Sequence, residues 1–518
     1  MTSVAVLVEL LRRRTSGGHA KCWERFAESA ARRPERLPDG TRSRLDLTVY
    51  FLGEHERVDV LSPRVRLVTL RPVLGTTALT SADGAEDVTD LAPYHPRLAA
   101  LLPRHDVWHL THCFAYATIA LRLARRCAPA PRLLASVHTD VPLPASVYAR
   151  CLAGRWLAGD HPAPGEFLAD LAESRLRRRR DRLLDGCERV LVPTPAERAE
   201  LAGVLGPHRV GLLRRGVDHR RFCPDPGARA RLGREYGVPA DRPLVLFAGR
   251  LDATKGVPLL IESVRLLRDR GRAVHLVMAG SGAEAWTVRR ALGADVSLLG
   301  PLPQERLARV YAGCDVFAFP SRTETCGNVV AEAMASGLAV VLPEGARTTQ
   351  WLTAPGQDGI VVRQDDPGEW ADALGALLDR PDLLSAVRHQ AITTARESHP
   401  TWDRVLTEDL LPVWRPPTAG NGTARTSPPL LRPPAPATPR SPVTSPGSRS
   451  PPHQRQPRHR PGRHRPPRVD RLAEDRRAHR HGDHRLRRVQ DRHARRERAL
   501  LEGALDEEQT ADAGRTRA

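Results

Sequence analysis

Short apolar runs alternate with longer amphipathic stretches along the first 415 residues. A short run bounded by turn residues reads as a buried strand, and apolar residues every three to four positions read as a helix. The alternation is plainest after residue 240. Leu244 to Ala248 predicts a strand and Pro258 to Arg268 an amphipathic helix. A strand over Val274 to Ala279, a helix over Ala283 to Leu292 and a strand over Val296 to Leu299 follow. Next come a helix over Gln304 to Ala312, a strand over Val316 to Phe319, a helix over Asn328 to Ser336 and a strand over Leu338 to Leu342. After a last strand from Gly359 to Val362 the pattern is mostly helical to about Glu397.

The first half carries the same rhythm less cleanly. Strands are expected at Val4 to Val8, Leu45 to Phe51, Val65 to Leu70, Val107 to Leu110, Leu133 to Val137 and Arg189 to Val192. Alternating strands and helices predict a doubly wound α/β architecture. Two Rossmann-like sheets, joined near residues 219–240, are expected to face each other across a cleft. The implied domains are 1–220 and 221–397, with an amphipathic closing helix in 398–415 that packs back on the first domain.

Composition changes the picture mainly at the end of the chain. At 518 residues the protein is too long for one core. Its net charge of +20 is concentrated in residues 416–518, which hold 23 arginines against 11 acidic residues and no aromatic after Trp414. Such an Arg/Pro-rich segment buries too little apolar surface to offset its ordering entropy, so disorder is expected there. The charge suits nucleic acid or acidic lipid, but an appended tail without a folded role is the stronger reading. A read-through or frame-shifted end gives the same text. No nucleic-acid partner is expected. Eight cysteines without a C-x-x-C pair indicate neither a zinc knuckle nor a disulfide framework, which fits a reducing cytoplasm. The apolar start Val4 to Val8 is too short for a signal peptide, and no apolar stretch spans a bilayer.

Candidate chemistry begins with lysine, which occurs only at Lys21 and Lys255. In a chain so biased to arginine, a retained lysine points to a site needing a compact ammonium. Arg250 and Lys255 lie at and beyond the end of the Leu244 to Ala248 strand, the edge where open α/β sheets bind ligands. Two cations on one turn suit a diphosphate; a solvated loop is the plain alternative. The run Phe319 to Met334 then reads strand, loop, helix, with Glu324 on the loop and Glu332 eight residues later on the helix. Backbone N–H groups of Gly327, Asn328 and Val329 at that helix start form an anion site. Gly280-Ser281-Gly282 ends another strand and either approaches a ligand or makes a plain turn. Gly300-Pro301-Leu302 occupies the equivalent edge position. In the first half, Gly17 and Gly18 stand at a strand–helix turn, and His138 ends a strand. No D-x-D triplet occurs, so the usual carboxylate pair for a metal on a diphosphate is missing.

Together these motifs resemble the GT-B glycosyltransferases of retaining family 4, often called group 1. The resemblance covers nearly all of residues 1–415. It rests on G-R-L…K-G, on G-x-G and on F-P-S-x-x-E-x-x-G-x-x-x-x-E-A-M-A-S-G, with Arg215-Gly216-Val217-Asp218 near the domain junction. It implies an acceptor-side first domain and a second domain that binds the nucleotide sugar. Arg250 and Lys255 would bind the donor diphosphate, Glu332 the ribose hydroxyls and Glu324 the donor sugar. Gly327 and Asn328 would offer backbone donors, Gly17 and Gly18 would shape the loop beside the diphosphate, and His138 would lie near the transferred sugar and acceptor. It further implies retaining hexosyl transfer to a hydroxyl with no obligatory metal and no cofactor beyond the nucleotide-sugar substrate. The acceptor class stays open between lipid-linked, oligosaccharide and small molecule. Arg175, Arg177 to Arg180 and Arg182 offer a peripheral contact to an anionic membrane, against a solvated helix face as the safer reading. Two departures stand out: Cys326 where Phe is common, and Pro343 to Arg347 in place of a glycine pair. Same-fold epimerase or hydrolase chemistry, and non-catalytic binding through the tail, are the competing readings.

Overall fold

The computed structural model describes residues 2–12, 18–34, 45–74, 90, 92, 94–137, 174 and 177–415. The expectation of a disordered 416–518 segment lies outside these residues. Eight strands form a first sheet: β1 (Thr2–Leu11), β2 (Leu45–Leu52), β3 (Arg57–Ser62), β4 (Val65–Leu70), β5 (Val107–Leu110), β6 (Arg132–Ser136), β7 (Arg189–Val192) and β8 (Val210–Leu212). Their spatial order is β3-β4-β2-β1-β5-β6-β7-β8. Every neighbouring pair is parallel except β3 with β4.

The central strand shows why the sequence folds this way. In β1, Val4, Val6 and Val8 enter one apolar cluster with Trp23 and Phe26, while Ala5 and Leu7 enter another with Trp108 and Ile119. Side chains alternate across a strand, so an unbroken apolar run suits a parallel strand covered on both faces. The strands absent from the sequence reading are β3 and β8. Val58 and Val60 of β3 are exposed, so this edge strand shows no contrast between a wet and a dry side.

The second sheet holds β9 (Leu244–Ala248), β10 (His275–Ala279), β11 (Val296–Gly300), β12 (Val316–Ala318), β13 (Ala339–Pro343) and β14 (Ile360–Val362). All pairs are parallel, in the order β11-β10-β9-β12-β13-β14. Counted from β9, this is the 3-2-1-4-5-6 order of dinucleotide-binding sheets. The helix after β9 is Val257–Asp269 and the helix after β12 is Asn328–Ala335.

The closing segment is not one regular helix. It is α-helical over Trp402–Val405, widens to a π turn over Leu406–Leu410 and resumes over Leu411–Trp414. Pro412 has no N–H to give, and the Leu411 N–H donates to the Leu406 carbonyl five residues back. Trp402, Val405, Leu410 and Trp414 share the cluster of Val4 and Trp23, so this segment covers the first sheet. Trp414 Nε1 donates to His109 Nδ1 at 3.0 Å, and Trp402 meets Phe26 edge-on with ring centroids 5.0 Å apart. Arg214, which follows β8, clamps Asp409 of the closing segment at 2.6 Å.

Truncating Trp414 removes a fully buried indole and orphans the His109 acceptor. Trp414→Ala is expected to lower unfolding free energy by about 3–5 kcal/mol, read as a reduced denaturant midpoint; an unchanged midpoint would contradict this packing.

Candidate active site

The strand order of the second sheet reverses between β9 and β12, and such a reversal opens a crevice beyond the strand carboxyl ends. The loops after these two strands carry the cluster. The carboxylate of Asp252 accepts the backbone N–H of Lys255 at 3.1 Å, which folds a single 3₁₀ turn and presents the lysine. Lys255 Nζ donates to Glu324 Oε1 at 2.6 Å and to Thr323 Oγ1 at 3.3 Å. Thr323 in turn donates to the Thr254 carbonyl at 3.3 Å. The two sequence-predicted charges therefore meet across the reversal point. Arg250 is more open, with its guanidinium 3.3 Å from Asp252.

The Asn328–Ala335 helix starts from Gly327 in the left-handed region, at φ +61°. Its first backbone bond runs from the Val330 N–H to the Gly327 carbonyl at 2.9 Å. The N–H groups of Gly327, Asn328 and Val329 thus lack a carbonyl partner within the helix, the condition for anion binding. A Cβ on Gly327 would lie 2.4 Å from Thr348 Cγ2, so both conformation and space require glycine. Trp351 Nε1 donates to the Cys326 carbonyl at 2.6 Å and pins the loop before the helix. At the unusual Cys326, the sulfur receives Arg215 Nε at 3.4 Å, while Arg215 Nη1 reaches Cys22 Sγ at 2.6 Å.

Glu332 sits half-buried on the same helix. Burial pushes its carboxyl up to about 8, against the opposing pull of Arg25 and Arg221; Asp218 pushes the same way as burial. No described residue hydrogen-bonds it.

Gly280 makes its closest approach to protein backbone. A Cβ there would lie 1.8 Å from the Gly249 carbonyl oxygen, so glycine is what lets the loops after β9 and β10 touch. Leu251 N–H donates to the Ser281 carbonyl at 2.9 Å and locks that contact. Leu302 lies partly buried against the second core, beyond the end of β11.

The first sheet has its own reversal, between β1 and β5. Glu9, near the end of β1, accepts the Phe114 N–H at 2.9 Å and also the Tyr116 N–H; burial lifts its carboxyl to about 8. Gly18 opens the Gly18–Arg32 helix and is exposed. His19 of this helix stacks on His112 after β5, with centroids 4.5 Å apart, and burial holds both imidazoles neutral. Gly17 and His138 lie outside the described residues. Lys21 spends its ammonium on Glu24 at 2.8 Å, a local helix pair. Among the described residues no three His, Cys, Asp or Glu side chains gather to hold a metal ion.

Sequence reasoning did not find Arg25, Arg215, His19 or His112. Their meaning depends on partners from distant segments, although Arg215 stood in the run Arg215-Gly216-Val217-Asp218 and His19 directly follows the Gly17-Gly18 pair.

Two largely parallel sheets, each with its crevice loops at strand carboxyl ends, define the double-Rossmann, GT-B class. Sucrose-phosphate synthase from Thermosynechococcus elongatus shares this fold, with a TM-score of 0.55 at 19% identity over 79% of this chain and 97% of its own. Residues 242–380 match the family described as Glycosyl transferases group 1. A D-inositol 3-phosphate glycosyltransferase of Frankia alni is 32% identical over 311 residues, which cover 56% of this chain and 70% of that protein. The chain belongs to the group 1 glycosyl transferases. The protein of the same name from Nocardia farcinica is 33% identical over 223 residues, or 40% of this chain. The chain spans 49% of that relative's length, so about half of it.

Gly327→Ala is expected to lower stability by about 1–3 kcal/mol and to misalign the helix start. Thermal unfolding and nucleoside-diphosphate binding should both weaken; wild-type values for both would show that the left-handed glycine is not required.

Proposed function

We propose that this protein is a retaining hexosyltransferase that uses a nucleotide-diphosphate sugar and an acceptor hydroxyl. One observation carries the reading. Where strand order reverses, Lys255 and Glu324 meet at 2.6 Å beside a helix whose first N–H groups have no helical partner.

Lys255 and Arg250 face the donor diphosphate, and the N–H groups of Gly327, Asn328 and Val329 donate to its oxygens. Before the donor arrives, Glu324 neutralises Lys255. An incoming diphosphate competes for the ammonium, and Glu324 is then free to accept a sugar hydroxyl. Glu332 takes the ribose hydroxyls. Gly280 and Leu302 edge the donor crevice, and Gly18 starts the Gly18–Arg32 helix of the first half; for Gly17 and His138, which lie outside the described residues, the roles beside the diphosphate and the transferred sugar rest on the family resemblance alone. The bond between anomeric carbon and phosphate oxygen breaks while a glycosidic bond forms on the same face. The acceptor proton passes to the departing phosphate oxygen. Charge develops on that oxygen, so fixed cations and N–H dipoles lower the barrier most. The proposal needs no cofactor and no obligatory metal.

The relatives' name makes a phosphorylated cyclic polyol the first acceptor to assay. For a lipid-linked acceptor, the exposed Arg177, Arg178, Arg179 and Arg182 would provide the contact with an anionic surface, placing the enzyme at the cytoplasmic membrane face. No helix among the described residues is long and apolar enough to cross a membrane.

Lys255→Ala should cut turnover by about 10²-fold, measured as new glycosidic product, with sugar transfer persisting in EDTA. Near-normal turnover in the variant, or loss of transfer on chelation, would contradict the cationic clamp. The raised Glu332 carboxyl is neutral below a pH of about 8 and ionised above it. A carboxylate accepts two hydroxyls whereas its acid form must donate, so nucleoside-diphosphate affinity should rise as pH climbs from 6.5 to 9. Glu332→Gln should flatten that rise.

A further inference from the structure

The loop that ends at Gly327 is held from the Arg347–Trp351 3₁₀ turn. Trp351 Nε1 donates to the Cys326 carbonyl at 2.6 Å, and Gln350 Nε2 adds a longer contact to the same oxygen at 3.3 Å. The Trp351 carbonyl is held in its turn by His399 Nε2 at 2.8 Å. His399 follows the Pro381–Ser398 helix, and its buried ring meets the Trp351 indole edge-on with centroids 4.8 Å apart. A carbonyl can only accept, so Nε2 carries the ring proton. Burial lowers the imidazole's affinity for a second proton, and Nδ1 is enclosed with no partner among the described residues. The backbone beside this ring is fixed as well. The Pro400 carbonyl accepts the Val217 N–H at 2.9 Å, and a Cβ on Gly216 would lie 2.5 Å from the Trp402 nitrogen. His399 thus stands where the chain leaves the second half for the closing segment.

Resting on the phosphate role proposed for the N–H groups of Gly327, Asn328 and Val329, we propose that His399 is a positioning residue for the donor diphosphate, acting through Trp351. The Cys326 carbonyl and the Gly327 N–H belong to one planar trans peptide unit, so they point in opposite directions. Holding the oxygen against the Trp351 indole therefore fixes the direction of the first N–H of the anion site. Glycine tolerates either sign of φ, so Gly327 by itself does not stop this unit from turning over. The clamp from Trp351 does, and His399 sets where Trp351 stands. Both links join segments distant in sequence, 25 residues apart for Cys326 and Trp351 and 48 for Trp351 and His399. No local backbone bond replaces them. Thr348 of the same 3₁₀ turn lies under Gly327, so an error in the turn's position reaches the helix start by packing as well.

The test measures binding of UDP, ADP and GDP to the full chain by calorimetry, with thermal unfolding recorded for every variant. His399→Phe keeps a ring against Trp351 and removes the donor; it should weaken binding about tenfold. His399→Asn, an amide too short to reach the carbonyl, takes its place if the first variant does not fold. His399→Gln, whose longer amide presents an N–H near the position of Nε2, should stay close to wild type. Trp351→Phe, which removes the indole N–H, should match His399→Phe, and the double variant should lose no more than either single one, because the two links act in series. Trp414→Ala, destabilised far from this loop, should bind as wild type does. Wild-type affinity in the His399 variant, an equal loss in His399→Gln or in Trp414→Ala, or additive losses in the double variant overturns the positioning role and leaves the phosphate reading standing. If wild type binds none of the three nucleotides, or Lys255→Ala binds them undiminished, the phosphate reading fails and the inference with it.

Discussion

The whole arrangement depends on the reversal of strand order between β9 and β12. Crossovers between parallel strands are right-handed, so chain leaving β9 for β10 and chain leaving β12 for β13 pass over opposite faces of the sheet. The helices that follow cannot both close over the gap they leave. A crevice opens at the strand carboxyl ends, and whatever the adjoining loops carry projects into it. The loops are then fixed by contacts only glycine permits: Gly280 lies directly against the Gly249 carbonyl, and Gly327 turns left-handed beneath Thr348. Topology creates the opening and close backbone packing sets its shape.

Electrostatics then follows from burial. Among the described residues Lys255 has one carboxylate partner, while the Glu332 carboxyl has no hydrogen bond and is lifted by its surroundings. A structural ion-pair network would have satisfied Glu332 as it satisfied Asp409 or Asp315. A half-buried acceptor with no donor among the described residues leaves its oxygens open to a ligand, in keeping with group 1 glycosyl transferase membership. The opposing charge comes partly from the other sheet, so the two halves meet through Arg25 and Gln304 as well as through the chain that joins them.

Much of the second sheet was legible in the sequence because its strands are buried on both faces and bounded by glycine or proline. β9 was read to the residue, and the ends of β13 moved by one because Pro343 still pairs with Val362. The first sheet was less legible. β3 is exposed and antiparallel, and the closing helix hides a π turn that no periodicity reveals. Lys255, Glu324 and Glu332 were visible because they stand on one short strand–loop–helix run or at a strand end. Whether Gly280 served a ligand or a turn was left open by spacing alone; its nearest neighbour is the Gly249 carbonyl. Arg25 was invisible because its partner Gln304 is 279 residues away. Cys326 looked like a simple departure from a family pattern, yet its sulfur borders the buried Arg215 at the meeting of both halves.

The central claim is that a nucleoside diphosphate is gripped where β9 and β12 diverge. A crystal structure of the protein with bound nucleoside diphosphate tests it most directly. The account predicts a phosphate oxygen within hydrogen-bond distance of Lys255 Nζ and of the N–H groups starting at Gly327, with the ribose on Glu332. A well-ordered nucleotide seated elsewhere, with the Lys255–Glu324 pair still intact, would contradict it.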